Sequence, residues 1–223
     1  MPPKYVKKDP ISHILDRPDT WVGSIRSRSV EDYVVVDDKF HIAKKKIDIS
    51  PAIIRMFIEP LSNVIDNVAR SNQGKNKTKK IAVSIDQESG EVSFWNDGEV
   101  IPIEMHEEEK VHNHTMIFGQ LMTGSNYDDT EDREDISGRN GIGIKAVNVY
   151  SKEFRVEGLD PENGKKFEQT WTNNMRIAEK PKVTSTKLKK GYTKISYTLD
   201  FGRFGLEGYT DDLISLYKRY VVD

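Results

Sequence analysis

The stretch 51–72, PAIIRMFIEPLSNVIDNVARSN, constrains the fold more than any other part of the chain. Ile54, Phe57, Ile58, Leu61, Val64, Ile65 and Val68 recur at steps of three and four and form one apolar stripe. That is the pattern of a helix that buries one face. Glu59, Asn63, Asp66, Asn67 and Arg70 gather on the opposite side. Asn and Asp are poor helix-interior residues, because their side chains compete for the backbone. A face built only for water favours Glu, Lys, Gln and Arg. Short amides and acids stacked over three turns point instead to a site that needs oxygen atoms at fixed places, with a solvated face as the plain alternative. Pro60 removes one helical hydrogen bond and crowds the preceding turn, so the helix either kinks there or begins there.

These residue types suit a nucleotide bound through a metal. A hard cation such as magnesium takes oxygen ligands, keeps several waters and shares phosphate oxygens. Asn63 can give one carbonyl oxygen without adding negative charge beside the phosphates. Glu59, one turn earlier, can take a proton from an attacking water.

The rest of the composition sets limits. The 223 residues are 36% hydrophobic and 31% charged, which reads as a soluble globular domain with a real core. The absence of cysteine excludes disulfides and thiolate zinc sites and fits an intracellular protein. No apolar run approaches the ~20 residues of a membrane helix, and MPPKYVKKDP lacks the apolar core of a secretory signal. With a net charge of −2, nothing global points to nucleic acid. The lysines at 44–46, 75–80 and 187–190 read as solvated loops or strand ends.

In order, the chain predicts an extended basic start, a short helix from Ser12 stopped near Pro18, and a turn at 19–23. A hairpin follows, with short strands at 33–36 and 40–42 around Asp37 and Asp38. After the central helix and a polar loop at 73–80, a second hairpin runs through Ile81–Ile85 and 92–95 around Ser89-Gly90. Residues 116–122 and 141–150 read as helices, and 124–138 as an acidic, mobile loop. Later strands fall at 153–157, 167–172 and 193–197, and a last amphipathic helix at 210–220. Long helices mixed with hairpins argue for a two-layer α/β sandwich rather than a doubly wound parallel sheet.

Two further constellations carry chemistry. Asn96-Asp97-Gly98 ends a strand, where an Asn or Asp can hydrogen-bond an exocyclic amine of a purine; an ordinary turn is the alternative. Gly138-Arg139-Asn140-Gly141-Ile142-Gly143-Ile144-Lys145 lets backbone approach a ligand closely and leads into a helix whose start favours phosphate. It is not a Walker loop. Residues 141–146 match the dinucleotide fingerprint G-x-G-x-x-A, but an acidic loop, not a strand, precedes them.

An acid–amide helix, a strand-end turn with Asn and Asp, and a glycine-rich lid running into a helix, in that order, resemble the GHKL ATPases. HILDRPDTWVGS (13–24), IFGQLMTGSNYDD (117–129) and SGRNGIGIKAVNVYS (137–151) are similar to the eukaryotic-type type IIA DNA topoisomerases. The resemblance implies a Bergerat-type two-layer α/β sandwich, a mixed sheet with helices on one face, and an ATPase using Mg2+ and ATP. It implies Glu59 as general base, Asn63 as magnesium ligand, Asp66, Asn67 and Arg70 near the phosphates, and Asn96 and Thr193 at the adenine. Gly124, Ser125 and Asn126 match the ribose-contact segment, Gly138, Arg139, Asn140, Gly141, Ile142, Gly143, Ile144 and Lys145 the phosphate lid, and Tyr5 an aromatic that reaches the partner subunit's nucleotide. Here Gly98 is followed by Glu99-Val100 where the family has a second glycine, and Gly124 stands where a serine is common.

The same resemblance implies the domain plan. Residues 1–24 form an N-terminal strap and dimerisation segment and 25–223 the ATPase domain, with transducer and DNA-gate domains expected downstream. The working unit is a homodimer closed at its N-gate by ATP, acting on duplex DNA and on no membrane, in the nucleus of a cell or in the virus factory or virion if viral. The competing classes are a GHKL ATPase of the chromatin-remodelling or chaperone type, a non-catalytic nucleotide-dependent dimerisation module, and a dinucleotide oxidoreductase.

Overall fold

The computed structural model describes residues 8–121 and 142–223. Two short helices open it, α1 (Pro10–Asp16) and α2 (Pro18–Trp21), each with proline in its first turn, where a missing N–H removes nothing. The expected turn at 19–23 is thus mostly helix. Strands β1 (Arg28–Val35) and β2 (Ile42–Ile49) form a two-stranded antiparallel sheet, Arg28 facing Ile49 and Val35 facing Ile42. Both strands are longer than expected: Lys44, Lys45 and Lys46, read as a solvated run, lie within β2.

The central helix, α3 (Pro51–Gln73), is one 23-residue element. Ser50 caps it by accepting from the Ile53 N–H at 3.3 Å, and Pro51 occupies the first turn. Pro60 therefore lies inside the helix rather than starting it. The buried face comprises Ala52, Ile53, Met56, Phe57, Pro60, Leu61, Val64, Asn67 and Ser71. The expected stripe is rotated accordingly: Ile65 is 56% exposed, while Asn67, placed on the polar side by spacing, is buried. Phe57 stacks on Tyr217 at 4.0 Å and packs on Phe94 at 5.2 Å. Burying an aromatic of this kind contributes about 1.5–3 kcal/mol.

The large sheet contains β3 (Ile81–Ile85), β4 (Glu91–Asn96), β5 (Ser151–Asp160), β6 (Lys165–Thr172), β7 (Ile177–Ala178), β8 (Lys182–Ser185) and β9 (Tyr192–Leu199). Its order is β3-β4-β9-β5-β6-β7, with β8 also on β6. Every pairing among the described strands is antiparallel, so the expected mixed sheet is corrected. The chain's hairpins and its short connections do not need parallel crossovers. Short helices α4 (Asn113–Gly119) and α5 (Gly143–Val149) and the C-terminal α6 (Asp211–Val222) complete the fold.

Alternation along the strands separates two faces. Val92, Tyr197, Phe154 and Trp171 form one cross-strand row, and Phe94, Ile195, Val156 and Gln169 the next. These side chains are buried, and α3 and α5 pack on this layer. The opposite face carries Ser93, Ser196 and Arg155, and ion pairs such as Lys166–Glu168 at 2.7 Å. Helix α6 packs on α3 and ties down the small sheet through Lys45–Asp212 (2.6 Å) and Arg219–Asp32 (3.2 Å).

His114 of α4 is the least expected core residue. It is fully buried and stacks on Phe167 at 4.6 Å, and neither ring nitrogen has a hydrogen-bond partner among the described residues. Burial, reinforced by His112 and opposed by Asp160, lowers its pKa to about 4. The unfolded chain therefore binds the proton first as pH falls below the ordinary 6.5, and stability present above 6.5 is lost toward pH 4. The difference amounts to roughly 3 kcal/mol. In urea melts at pH 7 and pH 4.5, His114→Leu should lose markedly less stability between the two than the unaltered chain does. An equal loss would show that His114 contributes nothing to acid sensitivity.

Candidate active site

The polar side of α3 places the candidate residues on three successive turns. Glu59 is mostly buried, its side chain 17% exposed; Asn63 and Asp66 are half-buried, Asn67 is buried, and Arg70 is exposed. Glu59 Oε1 meets the Arg55 guanidinium at 2.7 Å, the helical i,i+4 spacing. Glu59 Oε2 lies against Gly143, where an added Cβ would sit only 2.1 Å from it. A side chain at 143 would require the Glu59 carboxylate to move. The helix thus delivers its carboxylate to the first residue of α5, at the end of the glycine-rich segment.

Ile142, Gly143, Ile144 and Lys145 form the start of α5. Lys145 is 2% exposed, and burial lowers its pKa to about 8. Ile142 is buried and accepts the Ala146 N–H at 2.7 Å. Asn148 of the same helix donates to the Phe118 carbonyl of α4 at 3.0 Å, so α4 and α5 are locked side by side.

At the strand-end turn, Asn96 and Asp97 stand in different surroundings. The Asp97 carboxylate accepts the Lys79 and Lys80 amides at 2.8 and 2.9 Å, and its carbonyl accepts Thr78 Oγ1. Asp97 is therefore a turn-builder. Asn96, 5% exposed, lies on the helix-facing side of the sheet in register with Thr193, and Thr193 is in register with Gly158. Two candidates nearly a hundred residues apart in sequence are thus cross-strand neighbours. Gly98 has φ +107, and a Cβ there would meet Thr78 and Ser71 hydroxyls, so its glycine is required by backbone and space alike. Ser71 Oγ also accepts the Glu99 N–H at 2.9 Å, fastening the turn to the end of α3. Glu99 in turn accepts the Asn76 N–H at 2.8 Å, the first cause of its lowered carboxyl pKa.

Tyr5, Gly124, Ser125, Asn126, Gly138, Arg139, Asn140 and Gly141 lie outside the described residues. Among those described, the structure brings Glu59 to Gly143, and Asn96 to Thr193. Arg55 was missed by sequence reading, although its i,i+4 spacing to Glu59 was there to be read.

An antiparallel sheet under one layer of helices, with the acid–amide helix meeting a glycine-rich helix start, defines an α/β sandwich of the GHKL class. DNA topoisomerase 2 of Candida glabrata is 40% identical over 220 residues, covering 99% of this chain and 15% of that protein. DNA topoisomerase 2 of Invertebrate iridescent virus 6 is 40% identical over 229 residues, covering 99% and 20%. The crystal structure of the ATPase region of Saccharomyces cerevisiae topoisomerase II matches with a TM-score of 0.91 at 38% identity, covering 98% of this chain and 56% of that one. No protein-family model matches. Over almost its whole length the chain matches the ATPase region of the type II DNA topoisomerases. It spans 15–20% of the length of these curated relatives.

The contact between Gly143 and Glu59 has a direct test. Gly143→Ala should push the carboxylate or the start of α5 aside by about 1 Å or more, since a Cβ cannot share that space. A crystal structure of the variant that shows Glu59 and residue 143 unmoved would contradict the packing described.

Proposed function

We propose that this chain binds ATP and hydrolyses it to drive a type II DNA topoisomerase. The observation that carries the reading is Glu59 Oε2 set against Gly143, which brings a base to the end of the glycine-rich segment. Glu59 takes the proton of a water attacking the γ-phosphate. Arg55 holds its other oxygen, leaving one free to act. Asn96 and Thr193, paired across the sheet, read the adenine, and Lys145 and the backbone at Ile142, Gly143 and Ile144 face the phosphates. Asp66, Asn67 and Arg70 complete the polar side of α3.

A magnesium ion fits this donor set. Asn63 is half-buried on the polar side of α3, one turn from Glu59, and offers a neutral carbonyl oxygen. Magnesium beside phosphates takes such an oxygen, with waters and phosphate oxygens completing its shell. Asn63, on the turn after Glu59, is the protein ligand, and the ion supplies charge neutralisation at the phosphates.

At the level of the whole enzyme, residues 1–24 act as a strap that reaches a second subunit through Tyr5, and 25–223 act as the ATPase domain. Nucleotide binding closes the homodimer, and DNA is handled by the transducer and DNA-gate domains. Among the described residues no helix is long and apolar enough to cross a membrane.

Glu59→Gln should keep nucleotide affinity and lower turnover by about 100- to 10,000-fold, because an amide cannot take the proton. Asn63→Ala should instead weaken magnesium-dependent nucleotide binding. Normal turnover by Glu59→Gln would end the assignment. Lys145 gives a pH signature. Its depressed pKa means that the cation is present below about 8 and lost above it. Nucleotide affinity should therefore fall by up to about tenfold from pH 7 to pH 9. Lys145→Arg, whose guanidinium stays charged, should abolish that fall; an unchanged pH dependence would remove Lys145 from the phosphates.

A further inference from the structure

We infer that Tyr197 is a positioning residue for Glu59, supplying from the sheet a hydrogen bond that Pro60 deletes from the helix. The inference rests on the reading of Glu59 as the base. In an unbroken helix the N–H of residue 60 would bond the carbonyl of Met56. Pro60 has no N–H, and its ring presses on that same carbonyl. Met56 and Pro60 are both buried, so water cannot replace the bond. A buried carbonyl left unpaired is costly, and the turn would distort to reach a partner.

Tyr197 Oη donates to the Met56 carbonyl at 3.0 Å. The phenol is fully buried, and burial pushes its pKa well above the ordinary value, so it keeps its proton and remains a donor. Tyr217 Oη does the same for the Ile53 carbonyl at 2.9 Å, while its ring stacks on Phe57. Two phenols, one from β9 and one from α6, therefore hold the turn that leads directly into Glu59. The Glu59 carboxylate lies between Arg55, with which Oε1 pairs, and Gly143, which Oε2 faces. Strand β9 also carries Thr193, in register with Asn96. One strand thus sets both ends of the site: the base-reading pair, and, four residues on, the turn that aims the carboxylate.

The experiment compares the chain with Tyr197→Phe, each with and without Pro60→Ala, in steady-state hydrolysis, nucleotide affinity and amide exchange across 57–62. The isosteric phenylalanine leaves a folded core with one hydroxyl removed. Tyr197→Phe should lower kcat by about tenfold or more, since an ångström of misplacement can cost up to 100-fold. Nucleotide Kd should stay within about twofold, and exchange across the turn should quicken. With alanine at 60 the backbone N–H returns, and Tyr197→Phe should then change kcat by less than about threefold, the signature of two groups serving one carbonyl. An undiminished kcat in Tyr197→Phe, or the same loss in both backgrounds, would overturn the proposal. So would a loss of affinity in step with kcat. The exchange data separate this failure from that of Glu59: a Glu59→Gln variant with normal turnover would dismiss the base, whereas unaltered exchange in Tyr197→Phe would dismiss the bond.

Discussion

Helix α3 buries one side deeply while its other side carries half-buried and exposed polar residues, and the remaining elements are arranged around that division. Its buried side sits on the cross-strand rows built by Val92, Phe94, Ile195 and Tyr197, with Tyr217 of α6 stacked on Phe57. Its far end is fastened to the turn after β4 through Ser71. The helix is thus held at the sheet, at α6 and at its C-terminal end, and on its polar side Arg55 pairs with Glu59. Asn63 and Asp66 remain half-exposed.

The candidate site brings together three chain segments, placed by sheet register, steric fit and side-chain hydrogen bonds. Sheet register aligns Asn96 with Thr193. Steric fit at Gly143 aligns α5 with Glu59. The Asp97 carboxylate is committed to the amides of Lys79 and Lys80, so the turn that ends β4 is rigid before any ligand arrives. Such preorganisation lowers the cost of ordering the site around a bound molecule.

Much of this was legible in the sequence, for reasons that vary by residue. The helix at 51–72 was legible from the three- and four-residue spacing of its apolar side chains. The hairpin through β3 and β4 followed from alternation around a glycine turn. Ile65 misled, because spacing defines a stripe only to within about one position, and the face that seats on a sheet includes whatever packs, here Pro60 and Asn67. Lys44, Lys45 and Lys46 concealed a strand, since a two-stranded sheet can keep lysines in water on an exposed edge. Local pattern alone did not separate Asn96 from Asp97, because the amides that occupy Asp97 come from a separate loop. The all-antiparallel pairing also depends on contacts between strands remote in sequence, which local pattern does not encode.

Pro60 and Tyr197 constrain one another in one direction only. A tyrosine hydroxyl can share a helix carbonyl that already has its amide partner, because the oxygen carries two lone pairs. A proline at 60 without that hydroxyl strands the Met56 carbonyl in the core. Position 60 can therefore regain an N–H without disturbing position 197, whereas removing the hydroxyl at 197 is costly for as long as residue 60 is proline, so the pair works as a ratchet.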